Sequence, residues 1–237
     1  TALRSGRPGP VLLEVPVDVA KEECSAQMDY RTVSWTRTAP DLDLVREAVK
    51  ILMATERPVI WAGQGVLYAE ASDELRELAE LLAAPVLSTL LGKSVFNEKH
   101  PLALGAAGLS QNALVGDYLN RCDAVFAIGA SLTSTIFAPT LPLGPKVVHA
   151  TVDPRDLNKD ATPELGILGD AKLVLAAMIE EVRSQSNGKG RAGRSQVEEY
   201  LADKRTAWKD RWTSKLNSNG KNKSTLDPNF IKPNSSH

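Results

Sequence analysis

The sequence is poor in cysteine and aromatic residues, carries almost no net charge, and has no apolar run long enough to span a bilayer. Its two cysteines, Cys24 and Cys122, have no spacing that suits zinc, a CxxC redox pair or a disulfide framework, so a reduced, cytoplasmic setting is expected. The 28 Lys and Arg residues balance the 29 Asp and Glu residues to a formal −1, which removes the long-range positive field a nucleic-acid binder uses. No basic face with interleaved aromatics replaces it. A small-molecule partner is therefore expected, with neither nucleic acid nor membrane. From Thr1 to Val11 the chain is broken by arginine, glycine and proline before its first apolar run, and no leader peptide is read there.

What is present is an alternation. A hydrophobic content of 43% over 237 residues can fill one good core. Gly6-Arg7-Pro8-Gly9-Pro10 leads into Val11–Val15, a short apolar strand closed by Pro16 that lacks upstream neighbours. Residues 1–20 are therefore expected to end a domain that begins elsewhere. Residues 21–38 are mixed and polar and read as a linker. From 39 to 183 short apolar runs and amphipathic helices take turns. Asp41 to Ala54 reads as a helix behind an acidic start, and Ser72 to Ala83 as a helix with Ser72 as N-cap. Ser110 to Arg121 and Ala171 to Val182 are two more. The apolar runs are Pro58–Ala62, stopped by Gly63-Gln64-Gly65; Pro85–Thr89; Ala124–Ile128, stopped by Gly129; and Lys146–Val152, stopped by Asp153-Pro154. Lys93 to Ala107 reads as a looser stretch, and Leu165–Leu168 as a short apolar piece before Gly169-Asp170.

Runs that are apolar on both faces and alternate with helices are what a parallel sheet covered on both sides requires. The fold class expected is α/β, a doubly wound and mainly parallel sheet. Ligands in such sheets settle beyond the carboxyl ends of the strands. Residues 184–237 begin with a flexible Ser/Gly-rich link, followed by a helix from Gln196 to Leu216. That helix carries Trp208 and Trp212 as candidates for packing on a neighbouring domain.

Read together, these segments resemble the thiamine-diphosphate enzymes of the acetolactate synthase and pyruvate oxidase type. The resemblance rests on Gly6-Arg7-Pro8-Gly9-Pro10-Val11 with Pro16-Val17-Asp18, on Arg57-Pro58-Val59-Ile60 with Gly63-Gln64-Gly65, and on Ala84-Pro85-Val86 with Ser88-Thr89. It continues through His100-Pro101-Leu102 with Gly105 and Gly108, Cys122-Asp123-Ala124-Val125 before Ile128-Gly129, Asp153-Pro154 with Asn158-Lys159, and Gly169-Asp170. It implies a Rossmann-like central domain preceded by the end of the pyrimidine-binding domain. The implied parent enzyme uses thiamine diphosphate and Mg2+, held by segments outside this chain, and works as a homodimer or homotetramer. It decarboxylates a 2-oxo acid and passes the carbanion equivalent to an acceptor or a proton. Glu14 is not the glutamate that activates the cofactor in that family, so no catalytic residue and no metal ligand is expected here. A non-oxidative decarboxylase or lyase, a non-catalytic nucleotide-binding module and a spacer domain are the alternatives.

In relatives of this type the central domain takes FAD or an adenosine diphosphate moiety. The positions here that align with such contacts are Gly63, Gly65, Thr89, Leu91, Gly108, Gly129, Ser131, Asp153, Asn158 and Asp170. The departures weigh against FAD. Gly129-Ala130-Ser131-Leu132-Thr133-Ser134-Thr135 stands where the FAD pattern has two arginines and two aspartates, and Gly105-Ala106-Ala107-Gly108 replaces a Gly-Met-His-Gly segment. Some of these residues also have a plainer reading. The strand-end glycines suit tight turns, Asp153 suits a turn in which it accepts its own backbone amides, and His149 suits a hydrogen-bonded place in the core.

Overall fold

The computed structural model describes residues 6–24, 31, 34, 36–108, 113–135 and 141–218. The elements run α1 (Leu42–Met53), β1 (Pro58–Ala62), α2 (Gln64–Tyr68), α3 (Ser72–Leu82), β2 (Val86–Ser88) and β3 (Ala103–Ala106). There follow α4 (Ala113–Leu119), β4 (Ala124–Ile128), β5 (Lys146–Thr151), β6 (Leu165–Leu168), α5 (Ala171–Gln185) and α6 (Arg194–Ser218). Every residue of β1, β2 and β4 is buried, as strands covered on both faces must be.

All six strands pair in parallel, in the order β3-β2-β1-β4-β5-β6. From β1 the chain winds outward through β2 to β3. It then crosses back through α4 to β4 and winds outward the other way. β1 and β4 lie side by side in register from Pro58↔Ala124 to Ala62↔Ile128. Their loops diverge at this topological switch point and open a crevice beyond the sheet's carboxyl edge.

The helices form because their apolar residues recur on one stripe and their ends are capped. In α1, Val45, Ala48, Val49 and Leu52 are buried while the Asp41 carboxylate accepts from the Asp43 amide at 2.8 Å. In α5 the Asp170 carboxylate accepts from the amides of Lys172 and Leu173. α5 packs against both α1 and α3, and α4 packs against α6. At the sheet centre, Phe126 is one of the largest fully enclosed side chains.

The helix α6 is polar over most of its length; Val197, Tyr200 and Leu201 pack a short stripe of it against the core, and polar contacts hold it besides. Arg194 pairs with Glu198 and Glu80, the Tyr200 hydroxyl donates to Asp117, and the Arg205 guanidinium donates to the carbonyls of His100, Pro101 and Ala103 beside the edge strand β3. Trp208 and Trp212 meet edge to face, 6.3 Å between ring centroids, and stay partly exposed.

Several local expectations change. Ala103–Ala106 is a strand although Lys93 to Ala107 reads as loose: a small-residue, glycine-containing edge strand has little intrinsic preference and forms because β2 and Arg205 hold it. Leu165–Leu168 is likewise a strand, at the opposite edge. The one-turn helix α2 has no sequence signal, and Gly65, which would weaken an isolated helix, instead donates its amide to Gly129 O at 2.8 Å. Ser72 is the first helical residue and not the N-cap, a place taken by Ala71 with no side-chain bond. Val11–Val15 forms no strand: its apolar side chains are solvent-exposed, Leu12 at 93%. Ser110, expected to start a helix, lies outside the described residues.

Replacing Phe126 with alanine in β4 removes an enclosed ring that neighbouring strands cannot fill. The Phe126→Ala chain should lose about 3–5 kcal/mol of stability, read as a lower midpoint in urea denaturation.

Candidate functional site

The crevice at the switch point has a volume of about 990 Å³. Its walls come from the ends of β1, β2, β4, β5 and β6, and from two segments outside the sheet, residues 6–8 and 36–38. Trp61, Leu90 and Leu132 give it apolar surface; Thr89, Ser131 and Thr133 give hydroxyls; Arg7, Arg37, Asp156, Asp160 and Asp170 give charge.

Glycine is required at the centre of this site for close approach of backbone to backbone. A Cβ on Gly65 would lie 2.7 Å from Gly129 Cα, and Gly129 itself has a φ of +59°. The β1 loop is tied to the β4 end by Gly63, which donates to Ile128 O at 2.9 Å, and Gly65, which donates to Gly129 O at 2.8 Å, while Gly129 donates onward to Ala150 O of β5 at 3.0 Å. The loop after β4 is held from below by His149, which is fully buried. Its Nε2 lies 2.7 Å from Ala130 O, so the ring must carry its proton there and donate it. Burial pushes the His149 pKa down, which keeps the ring neutral.

Carboxylates at the far wall are engaged by neighbouring cations and amides. Arg7 Nη1 donates to Asp156 Oδ1 at 2.9 Å and lies 3.6 Å from Asp153 Oδ2. Thr151 Oγ1 donates to the second oxygen of Asp156. Asp153 receives the Arg155 guanidinium and the Arg155 amide, and those bonds hold its carboxyl at about 2. Arg37 Nη1 stands 3.9 Å from Asp170 Oδ1. On the rim, Lys159 Nζ donates to Thr133 Oγ1 and the Ser134 amide to Asp160.

Comparison with known proteins identifies this arrangement. The family model described as the thiamine pyrophosphate enzyme central domain matches residues 45–178. The chain belongs to that family. As such a central domain it is 34% identical over 191 residues to an acetolactate synthase of Mycobacterium bovis, covering 76% of this chain and 30% of the relative. It is 34% identical over 184 residues to a probable acetolactate synthase large subunit of Methanocaldococcus jannaschii, covering 74% and 31%. Among solved structures it resembles benzoylformate decarboxylase from Polynucleobacter necessarius, with a TM-score of 0.62 and 27% identity over 78% of this chain and 35% of that one. The chain thus spans about a third of the length of the relatives it matches.

Of the ten positions singled out in the sequence, this central domain brings six to the crevice: Gly65, Thr89, Leu91, Gly129, Ser131 and Asp170. Gly63 lies behind them, packed on Gly129 and Ala130; Gly108 is packed on Leu90. Asp153 faces its own turn, and Asn158, at a φ of +57°, belongs to the loop that follows. Thr89 Oγ1 accepts from the Gly92 amide, and Ser131 shares a hydrogen bond with Thr133. Sequence reasoning missed Arg7, Arg37 and Asp156. The Asp156 signal, an acid three residues after Asp153 in the strand-end loop, was available; the Arg7 contact spans 149 residues and left none.

Among the described residues no group of three or more His, Cys, Asp or Glu side chains could bind a metal ion. A dinucleotide diphosphate fits poorly. The amides of Gly63, Gly65 and Gly129 donate to main-chain carbonyls, and α2 is too short to add a helix dipole.

Two outcomes follow from the glycine packing and the buried imidazole. Gly65→Ala should cost about 1–3 kcal/mol because backbone must move, whereas Gly9→Ala, with nothing within 4 Å, should leave the thermal midpoint unchanged. Because the folded His149 pKa lies below its ordinary 6.5, unfolded chain takes up the proton first as pH falls. Stability should be flat above about pH 6.5 and decline below it, and His149→Gln should flatten that decline in denaturation curves collected from pH 7 to pH 5.

Proposed function

We propose that this chain is the central portion of a thiamine-diphosphate-dependent 2-oxo acid decarboxylase and carboligase resembling acetolactate synthase. The observation that carries the proposal is the match to acetolactate synthases over three quarters of the chain but only about a third of theirs. Bound elsewhere in such an enzyme, thiamine diphosphate supplies the ring that accepts the electron pair left by departing CO2. This chain's own part is mechanical. A sheet buried on both faces, with its central strands locked through Gly63, Gly65 and Gly129, is a stiff body against which flanking cofactor-binding domains hold register. Arg7, ahead of the linker, and Arg37, near the linker's end, are fastened to that body through Asp156 and Asp170. A homodimer or homotetramer in the cytoplasm belongs to the same reading.

The likeness to benzoylformate decarboxylase supports a second reading, a non-oxidative decarboxylase that releases an aldehyde. The strand-end loop of hydroxyls in place of arginines favours it. A spacer or nucleotide-binding module without catalysis is the third.

The enzyme encoded by the whole reading frame should release CO2 from pyruvate or another 2-oxo acid only with thiamine diphosphate and Mg2+ present, and the 237-residue chain alone should release none. A carboligated hydroxy-ketone product supports the first reading and an aldehyde the second. Turnover that ignores thiamine diphosphate would overturn both.

A further inference from the structure

The crevice has the place and size of a dinucleotide site, yet its polar groups are turned inward. Among the described residues, two arginines face it against three aspartates, Asp156, Asp160 and Asp170. Arg7 is held by Asp156, which is only 7% exposed, and withdrawing Arg7 would leave that carboxylate buried with one hydroxyl for company. Arg37 stands beside Asp170, whose position is fixed because it caps α5. Lys159 lies outside the crevice wall, exposed and bonded to Thr133, where solvent screens it. The sequence from Leu109 to Pro145 adds no Lys or Arg besides Arg121, so the loop after β4 brings no further cation. The strand-end amides of Gly63, Gly65 and Gly129 donate to carbonyls of the protein and not to a ligand phosphate.

We infer that this crevice discriminates against diphosphates, and that Asp156 and Asp170 are the specificity-determining residues, because each occupies an arginine that would otherwise meet the phosphates. A ligand admitted here is uncharged, recognised by the hydroxyls of Thr89 and Ser131 and by apolar contact with Trp61 and Leu90. The inference is independent of which reaction the parent enzyme performs.

Calorimetric titration of the full 237-residue chain with adenosine, ADP and FAD tests it. In the wild-type chain ADP and FAD should bind no more tightly than adenosine. In the Asp156→Asn, Asp170→Asn double variant, which keeps both side-chain shapes and removes the carboxylate charge that each arginine meets there, ADP affinity should rise at least tenfold while adenosine affinity stays within twofold. Circular dichroism checks that the variant is folded. Should it unfold, Arg7→Ala replaces it, with ADP affinity expected unchanged because Arg7 is not a phosphate ligand. Tenfold tighter binding of ADP or FAD than of adenosine by the wild-type chain overturns the inference. So does a folded double variant without the gain in ADP affinity, or a loss of ADP affinity in Arg7→Ala.

Discussion

The contact between the loops after β1 and β4 is the constraint on which the architecture turns. Two parallel strands in full register leave the sheet side by side, and their backbones stay close enough that no side chain fits between them. Amide-to-carbonyl bonds from Gly63 and Gly65 close that gap, and the one from Gly129 ties the loop to β5 alongside. Everything polar at the carboxyl edge is placed relative to this junction. The buried imidazole of His149 adds a prop from the adjacent strand by holding Ala130 O.

The same junction accounts for what the crevice does with its charge. Where amides are drawn into loop-to-loop bonds they are unavailable to an anion, and where arginines fasten chain segments outside the sheet they serve docking before binding. Asp156 and Asp170 are thus structural and selective at once. Each holds a neighbouring segment, and each sets the sign of the field that a visitor meets.

Much of this could be read in the sequence. β1, β4 and β5 announced themselves as apolar runs ended by glycine or Asp-Pro, because strands buried on both faces have no polar alternation to blur them. Asp170 was identifiable as the residue that opens α5. The edge strands β3 and β6 were not, since Ala103-Leu104-Gly105-Ala106 and Leu165-Gly166-Ile167-Leu168 owe their shape to neighbours and not to their own preferences. The strand-end glycines stand out in the sequence, and Gly63, Gly65 and Gly129 prove to be points of close backbone packing. What they touch is a tertiary fact that no local pattern contains, and the same holds for Arg7, whose carboxylate partner lies 149 residues along the chain in the loop after β5.

Arg205 carries a consequence beyond stability. By taking the carbonyls of Pro101 and Ala103 it occupies groups that an edge strand would otherwise offer to a strand from another molecule. That rim of the sheet is blunted against ribbon-like growth, and α6, for all its polarity, serves as a guard rail. The β3 rim is thus held from two sides, by its ladder to β2 within the sheet and by the Arg205 guanidinium outside it.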